Sequence, residues 1–334
     1  VTRLPQFHPP ERERGAALLS VLLLVAVMAV IAAVMLERLN LATHLAGNGQ
    51  AMAQARLYAT SAESLAMARI KGLLEADQQR TVDRTGLLGR EFPLPLVRGV
   101  VRARIDDADN CFNVNSLVEQ AADGRLALRP AGLSQLRALM KGLAVPENEA
   151  VPVSDAIADW IDSDDVAQPN GAEDDWYRAQ PVPYRTAGRL IGDVSELRAV
   201  KGMTATTYAR LRPWLCALPA AQLSPININT LRIDQARLLA MLAPQQLPID
   251  RVRGLIAARP PDGWADAGAV LQPFSGGNTL GPVPLGQLQV RSRWFLLTQS
   301  VQVDSVEVEE QALIDSSLSP PRVAFRSWGD RDSR

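Results

Sequence analysis

From Ala16 to Leu36 the chain carries one polar side chain, Ser20, and no charge. At 1.5 Å per residue such a run covers roughly 30 Å, the thickness of a bilayer's hydrocarbon core. The pattern then changes without a turn signal. Leu57, Ala62, Leu65, Ala66, Ile70 and Leu73 fall at helical spacing in a stretch free of proline. One helix over about 17–75 is predicted, its first third in the membrane and the rest amphipathic, with a break expected around Gly47 and Gly49. Period-two patterns appear much later. "RGVVRARIDD" reads as a strand, as do about 292–303 and 304–314, joined by a hairpin centred near Asp304. "PRVAFRSWGD" adds a last edge strand. These strands predict an antiparallel sheet packed on the N-terminal helix, an α+β fold in which everything between is an insertion.

The insertion repeats itself. "FNVNSLVEQ" (112–120) and "ININTLRID" (226–234) share an Asn-apolar-Asn-Ser/Thr-Leu core. Asn, Ser and Thr ahead of an apolar helical pattern are N-caps, because their side chains accept from free N–H groups of the first turn. "LSQLRALMKGL" and "VSDAIADWIDS" follow the first copy, "DQARLLAMLA" and "IDRVRGLIAAR" the second. Two ordinary helix starts would explain either match alone; both together favour a duplicated all-α unit, at about 111–218 and 225–284. The second unit and "DVSELRAVKGMTATTYARLRPWL" look like helix-hairpin-helix or SAM-like elements. That opens a rival reading, a membrane-anchored extracytoplasmic DNA receptor, whose Gly-rich hairpins would face phosphate.

Charge weakens that rival. The 334 residues hold 35 basic and 36 acidic side chains, a formal net charge of -1, and "ARPPDGWADAG" at the second hairpin is acidic. No general attraction to nucleic acid follows from such a balance. The only histidines, His8 and His44, lie outside the expected body, which excludes His-based zinc or nucleophilic chemistry there. Cys111 and Cys216 are too few for a disulfide-scaffolded mini-protein.

Three readings compete for the N-terminus. A secretory signal peptide has a shorter apolar region, about 7–15 residues, ending in a small-residue cleavage site. A plain uncleaved anchor fits the length. The junction "RERG|AALLS" resembles the cleavage site of prepilin-like proteins, with basic residues and Gly15 directly before the span. That resemblance implies a cut between Gly15 and Ala16 by a prepilin peptidase, N-methylation of Ala16, and retention of the helix. Pilin-type chains generally carry Glu at the fifth mature position; here it is Ser20. A carboxylate in lipid is costly unless partnered, so its absence suits a subunit with no subunit above it. Arg3, Arg12 and Arg14 before the span place the leader in the cytoplasm and the body outside.

The most pointed chemistry lies between Ala158 and Leu197. Asp162, Asp164, Asp165, Glu173, Asp174 and Asp175 bracket a Pro-Asn-Gly turn, flanked by Trp160, Trp176 and Tyr177. Crowded carboxylates repel unless a cation sits among them, and oxygen-only ligands select a hard ion such as calcium or, less tolerantly, magnesium. A solvated acidic loop is the alternative. The EF-hand spacing is missing, and no groove separates the acids as a glycosidase requires.

Taken together, "RGAALLSVLLLVAVMAVIAA", "FNVNSL", "ADWIDSDD" with "GAEDDWY", "DVSELRAVKGM" and "ININT" resemble the type II secretion minor pseudopilin K family, in the same order. The resemblance implies a leader (1–15), a membrane span (16–36), a pseudopilin core (37–110 and 285–334) and a helical insertion (111–284). It implies calcium on Asp162, Asp164, Asp165, Glu173 and Asp174. It implies I- and J-type minor pseudopilins and the major pseudopilin as partners at a pseudopilus tip, with exported substrate or the secretin within reach and no nucleic acid. A type IV pilus tip is the neighbouring alternative. The expected function is mechanical, not enzymatic, in a single-pass inner-membrane protein with a periplasmic body. Export into an oxidising compartment makes a Cys111–Cys216 bridge the favoured reading over two buried thiols.

Overall fold

The computed structural model describes residues 11–271 and 285–329. The leader's first ten residues and most of "SGGNTLGPVPLG" lie outside them. Helix α1 (Glu11–Glu75) runs unbroken for 65 residues. The expected interruption at Gly47 and Gly49 is absent. Both glycines sit on an exposed length of helix with no neighbouring atom within 4 Å. An isolated glycine there costs only about 1 kcal/mol, which the surrounding Ala- and Leu-rich turns offset. Among the described residues, the first buried position of α1 is Ala51. From there one face is sealed by Ala51, Ala55, Ala59, Ala62, Ala66, Ile70 and Leu73.

That face lies on a five-stranded antiparallel sheet made from the two ends of the body. The N-terminal share is β1 (Glu91–Leu96) and β2 (Gly99–Asp107). In chain order the insertion then contributes β3 (Phe112–Asn113), β4 (Val118–Gln120), β5 (Leu126–Leu128), α2 (Pro130–Gly142), α3 (Glu147–Ile161), α4 (Asp174–Arg178), α5 (Ala205–Leu211), β6 (Leu215–Cys216), β7 (Ile226–Asn227), α6 (Ala236–Ala240), α7 (Ile249–Ala257), α8 (Ala267–Leu271) and β8 (Leu288–Gln289). The sheet resumes with β9 (Trp294–Val303), β10 (Val306–Asp315) and β11 (Arg322–Trp328), in the order β1-β2-β9-β10-β11. Asp304, at φ 51°, turns the β9–β10 hairpin where the alternation predicted it. Strand β1, which carries Pro93 and Pro95, is not among the strands predicted from the sequence. It is tolerated as an edge, where the alternate residues that lack an N–H leave the ladder to β2 intact.

The two copies of the Asn motif do something other than start α-helices. Each lies in a two-residue parallel ladder, β3 with β6 and β7 with β8. Asn113 caps a four-residue 3₁₀ turn, but Asn227 leads into a plain turn. In both copies the second asparagine is a buried clamp. Asn115 accepts from Ile191 N (2.8 Å) and donates to Ile191 O (2.9 Å) and Leu218 O (2.8 Å). Asn229 accepts from Trp264 N (2.7 Å) and donates to Trp264 O (3.1 Å). A side-chain amide that both gives to and takes from one backbone residue mimics a strand partner and satisfies groups that burial would otherwise orphan. Gly263 packs on the second clamp at φ +72°; a Cβ there would stand 2.8 Å from the Asn229 side chain. The closing strand β8 corrects the expected boundary: the second unit ends past 284, because 288–289 pair with 226–227.

Half-buried Asp107 joins core to insertion through Thr230, and buried Asp109 fastens the start of β9. Asp107 accepts from the hydroxyls of Thr230 and Ser292, and Asp109 accepts from Arg293 N (2.7 Å) and Trp294 N (3.2 Å). Cys111 and Cys216 form a disulfide with Cα atoms 5.8 Å apart, beside the β3–β6 ladder.

Candidate metal centre

Helix α3 delivers the acidic loop. Its last turn carries Asp159, and Asp162 is its C-cap. The loop is held by Asp159, whose carboxylate accepts from Gln168 N (3.1 Å) and Ala172 N (2.8 Å). Gly171 passes so close that a Cβ would lie 1.8 Å from Asp159 Oδ2, so only glycine fits. Lys201 Nζ donates to Gly171 O at 2.8 Å, and Asn170 donates to Asp155 at 3.1 Å. Tyr177 stacks edge-on against Trp160 and Trp176, at 5.2 and 4.9 Å between centroids.

This frame brings three acids together. One carboxylate oxygen from each of Asp162, Asp164 and Glu173 lies within 4.8 Å of the others. Asp162 is 2% and Glu173 9% exposed, while Asp164 reaches the surface. Both oxygens of Asp162 and Oε1 of Glu173 are buried without a hydrogen-bond partner. Leaving ionised oxygens so is expensive, and the groups respond by holding protons. Burial, then the charges of Asp164 and Asp159, pushes Asp162 up to about 7. Burial, then Asp162 and the other nearby aspartates, pushes Glu173 up to about 8. Asp159 rises to about 6, chiefly through burial. A hard cation would supply what these oxygens lack, and carboxylates in a loop are the ligand type that calcium, with six to eight oxygens, accepts.

The other two sequence candidates stand apart. Asp165 is exposed and acts on Glu173 only through its charge. Asp174 is engaged elsewhere: it accepts from Thr186 N at 3.0 Å and pairs with Arg178 at 2.5 Å. The pattern reading missed Asp159, Gly171 and Lys201, whose contacts shape the loop. Asp159, one turn before Asp162 on α3, was the available signal. At the other end of the molecule, Gly15 and Ala16 are consecutive residues of α1, and Ser20 Oγ donates to Ala16 O at 2.8 Å, satisfied within its own helix. The span is apolar, with mean hydropathy 3.0, and is buried against nothing among the described residues.

Comparison with known proteins decides the family. Residues 110–220 and 226–291 match two domains described as "Type II secretion system (T2SS), protein K". The chain is 36% identical over 329 residues to the type II secretion system protein K of Pectobacterium carotovorum subsp. carotovorum, covering 95% of this chain and 97% of that one. The chain belongs to the type II secretion system protein K family. Protein K of Klebsiella pneumoniae is 35% identical over 95% of the chain and 97% of its own length. The crystal structure of the GspK-GspI-GspJ complex from the enterotoxigenic Escherichia coli type 2 secretion system contains a chain that superposes with a TM-score of 0.73 at 30% identity, covering 84% of this chain and 98% of that one. The two matched domains coincide with the two Asn-clamped units. The helix-hairpin-helix-like elements that suggested a DNA receptor are therefore protein K's own domains. The chain is a minor pseudopilin.

Proposed function

We propose that this chain sits at the tip of the pseudopilus, in complex with I- and J-type minor pseudopilins, and starts or caps assembly for export of folded proteins. Its apolar stem lies in the inner membrane with the leader cytoplasmic and the body periplasmic, and is processed between Gly15 and Ala16. The observation that carries this reading is the match along 98% of the K chain of a solved K–I–J complex. The geometry is consistent: α1 rises from the span and meets its own sheet only at Ala51, leaving the lower stem free to lie among other stems. Ser20, bonded within its own helix, presents no charge to a subunit above. The task is mechanical. No residue is assigned a catalytic role.

A calcium ion on Asp162, Asp164 and Glu173 braces the first unit. When bound, a calcium ion would supply positive charge to oxygens that otherwise hold protons. Asp159 and Gly171 hold the loop in place around it. Loss of the gene is expected to abolish secretion of exoproteins while their synthesis continues, and the full chain should restore it. Co-purification with I- and J-type partners from membranes is the second readout. Normal secretion without the protein, or a protein K never found with those partners, contradicts the assignment.

A further inference from the structure

Helix α1 is joined to the sheet by a charge arrangement that does not balance. Glu63, midway along the docked length of α1, is 4% exposed, and Glu310 on β10 is 1% exposed. One guanidinium serves both. Arg326 on β11 holds Glu63 in a fork, with Nε–Oε2 at 2.9 Å and Nη2–Oε1 at 2.8 Å. The same Nε stands 2.9 Å from Glu310 Oε1, without hydrogen-bond alignment. From β9, the neutral Gln299 donates to Glu310 Oε2 (2.7 Å) and to Ala59 O (2.9 Å), a carbonyl of α1 itself. Arg56, two turns before Glu63, is drawn away over the Trp328 ring, 5.9 Å from its centroid.

With both carboxylates ionised, the space between α1 and the sheet holds two negative charges against one positive. A buried excess charge is among the costliest features a protein can carry, whereas one added proton cancels it and lets one carboxyl donate to the other. We infer that Glu63, Glu310 and Arg326 form a proton-dependent latch that fixes α1 to its sheet, closed while the carboxylate pair holds a proton and loosened when that proton leaves. The latch sits where the stem's axis is transmitted to the body, so it sets the stiffness of the joint between membrane helix and head. This is independent of the cation site and of the tip assignment.

The sign follows from linkage. Burial is the first cause that raises Glu310 above its ordinary 4.5, and the adjoining Glu63 adds to it. A carboxyl raised in the folded state stabilises below its unfolded value, and that stability is lost as pH climbs through the folded value. Between those limits the opening equilibrium grows by up to about tenfold per pH unit for one proton.

Hydrogen exchange of the full chain in detergent micelles, corrected for the intrinsic pH dependence of exchange, reads this directly over pH 5–8. Protection across 55–66 of α1 and along β10 should fall about tenfold or more in the unmutated protein. In Glu310→Gln, which keeps a donor and removes the charge, it should change by less than about twofold. Glu63→Gln tests the pair from the helix side and should flatten the profile likewise, and Arg326→Gln should steepen it. A flat profile in the unmutated chain, or the same slope in either glutamine variant, overturns the latch.

Discussion

The two Asn-clamped units are built on one frame and differ in what is hung upon it. Both open and close on a parallel two-residue ladder, and both use a buried asparagine to grip a distant backbone residue. The first spans β3 to β6 and adds a β4–β5 hairpin, the long helices α2 and α3, the acidic loop and the disulfide. The second spans β7 to β8 with shorter helices. Among the described residues, the only group of three converging acids lies in the first unit, and the second has no counterpart. A shared frame with one-sided additions separates structure from function: the clamp folds each unit, and the additions belong to the task of the first.

The largest effects should come from breaking the frame itself. Asn115→Ala orphans Ile191 N, Ile191 O and Leu218 O inside the first unit, a loss of roughly 3–6 kcal/mol. Asn229→Ala should cost roughly 2–4 kcal/mol in the second, since it strands fewer well-aligned groups. Hydrogen exchange resolved by unit checks both, and each loss should stay in its own unit. Replacing both cysteines by serine should destabilise the first unit by about 2–5 kcal/mol, because the bridge closes a long loop, and leave the second unchanged.

Titration should divide the units next. Asp162 and Glu173 are raised in the folded state to about 7 and about 8, so without cation they add stability in acid that is lost as pH rises through those values. Metal-free protein should therefore show a first unit that loosens between mild acid and pH 8, by up to about tenfold per pH unit per proton. Excess calcium should reverse the trend. The smallest effect is expected from Asp174→Ala, which removes an ion pair with the half-exposed Arg178 and the bond from Thr186 N, together roughly 1–2 kcal/mol, and calcium uptake should be unaffected.

How much of this was legible in the sequence follows from the range of the forces involved. The stem, β2 and the β9–β10 hairpin were readable because burial periodicity is local, down to the turn at Asp304. The duplication was visible as spelling, but its meaning was not. Asn115 and Asn229 look like caps, since the partners they grip lie 76 and 35 residues away. Strand β1 was hidden by two prolines that are acceptable only at an edge. In the acidic loop, composition marked a cluster of carboxylates but could not sort Asp162, Asp164 and Glu173, which converge, from Asp174. That distinction depends on which carboxylates already have partners, and Thr186 and Arg178 claim Asp174 only once the chain has folded.

The comparison rests on the first unit's acidic loop being a cation site that the second unit does not share. Calorimetric titration of calcium into the full chain in detergent, alongside Asp162→Asn, tests it most directly. The account predicts saturable heat in the unmutated protein that is lost in the variant. No heat in the unmutated protein, or the same heat in both, would contradict it.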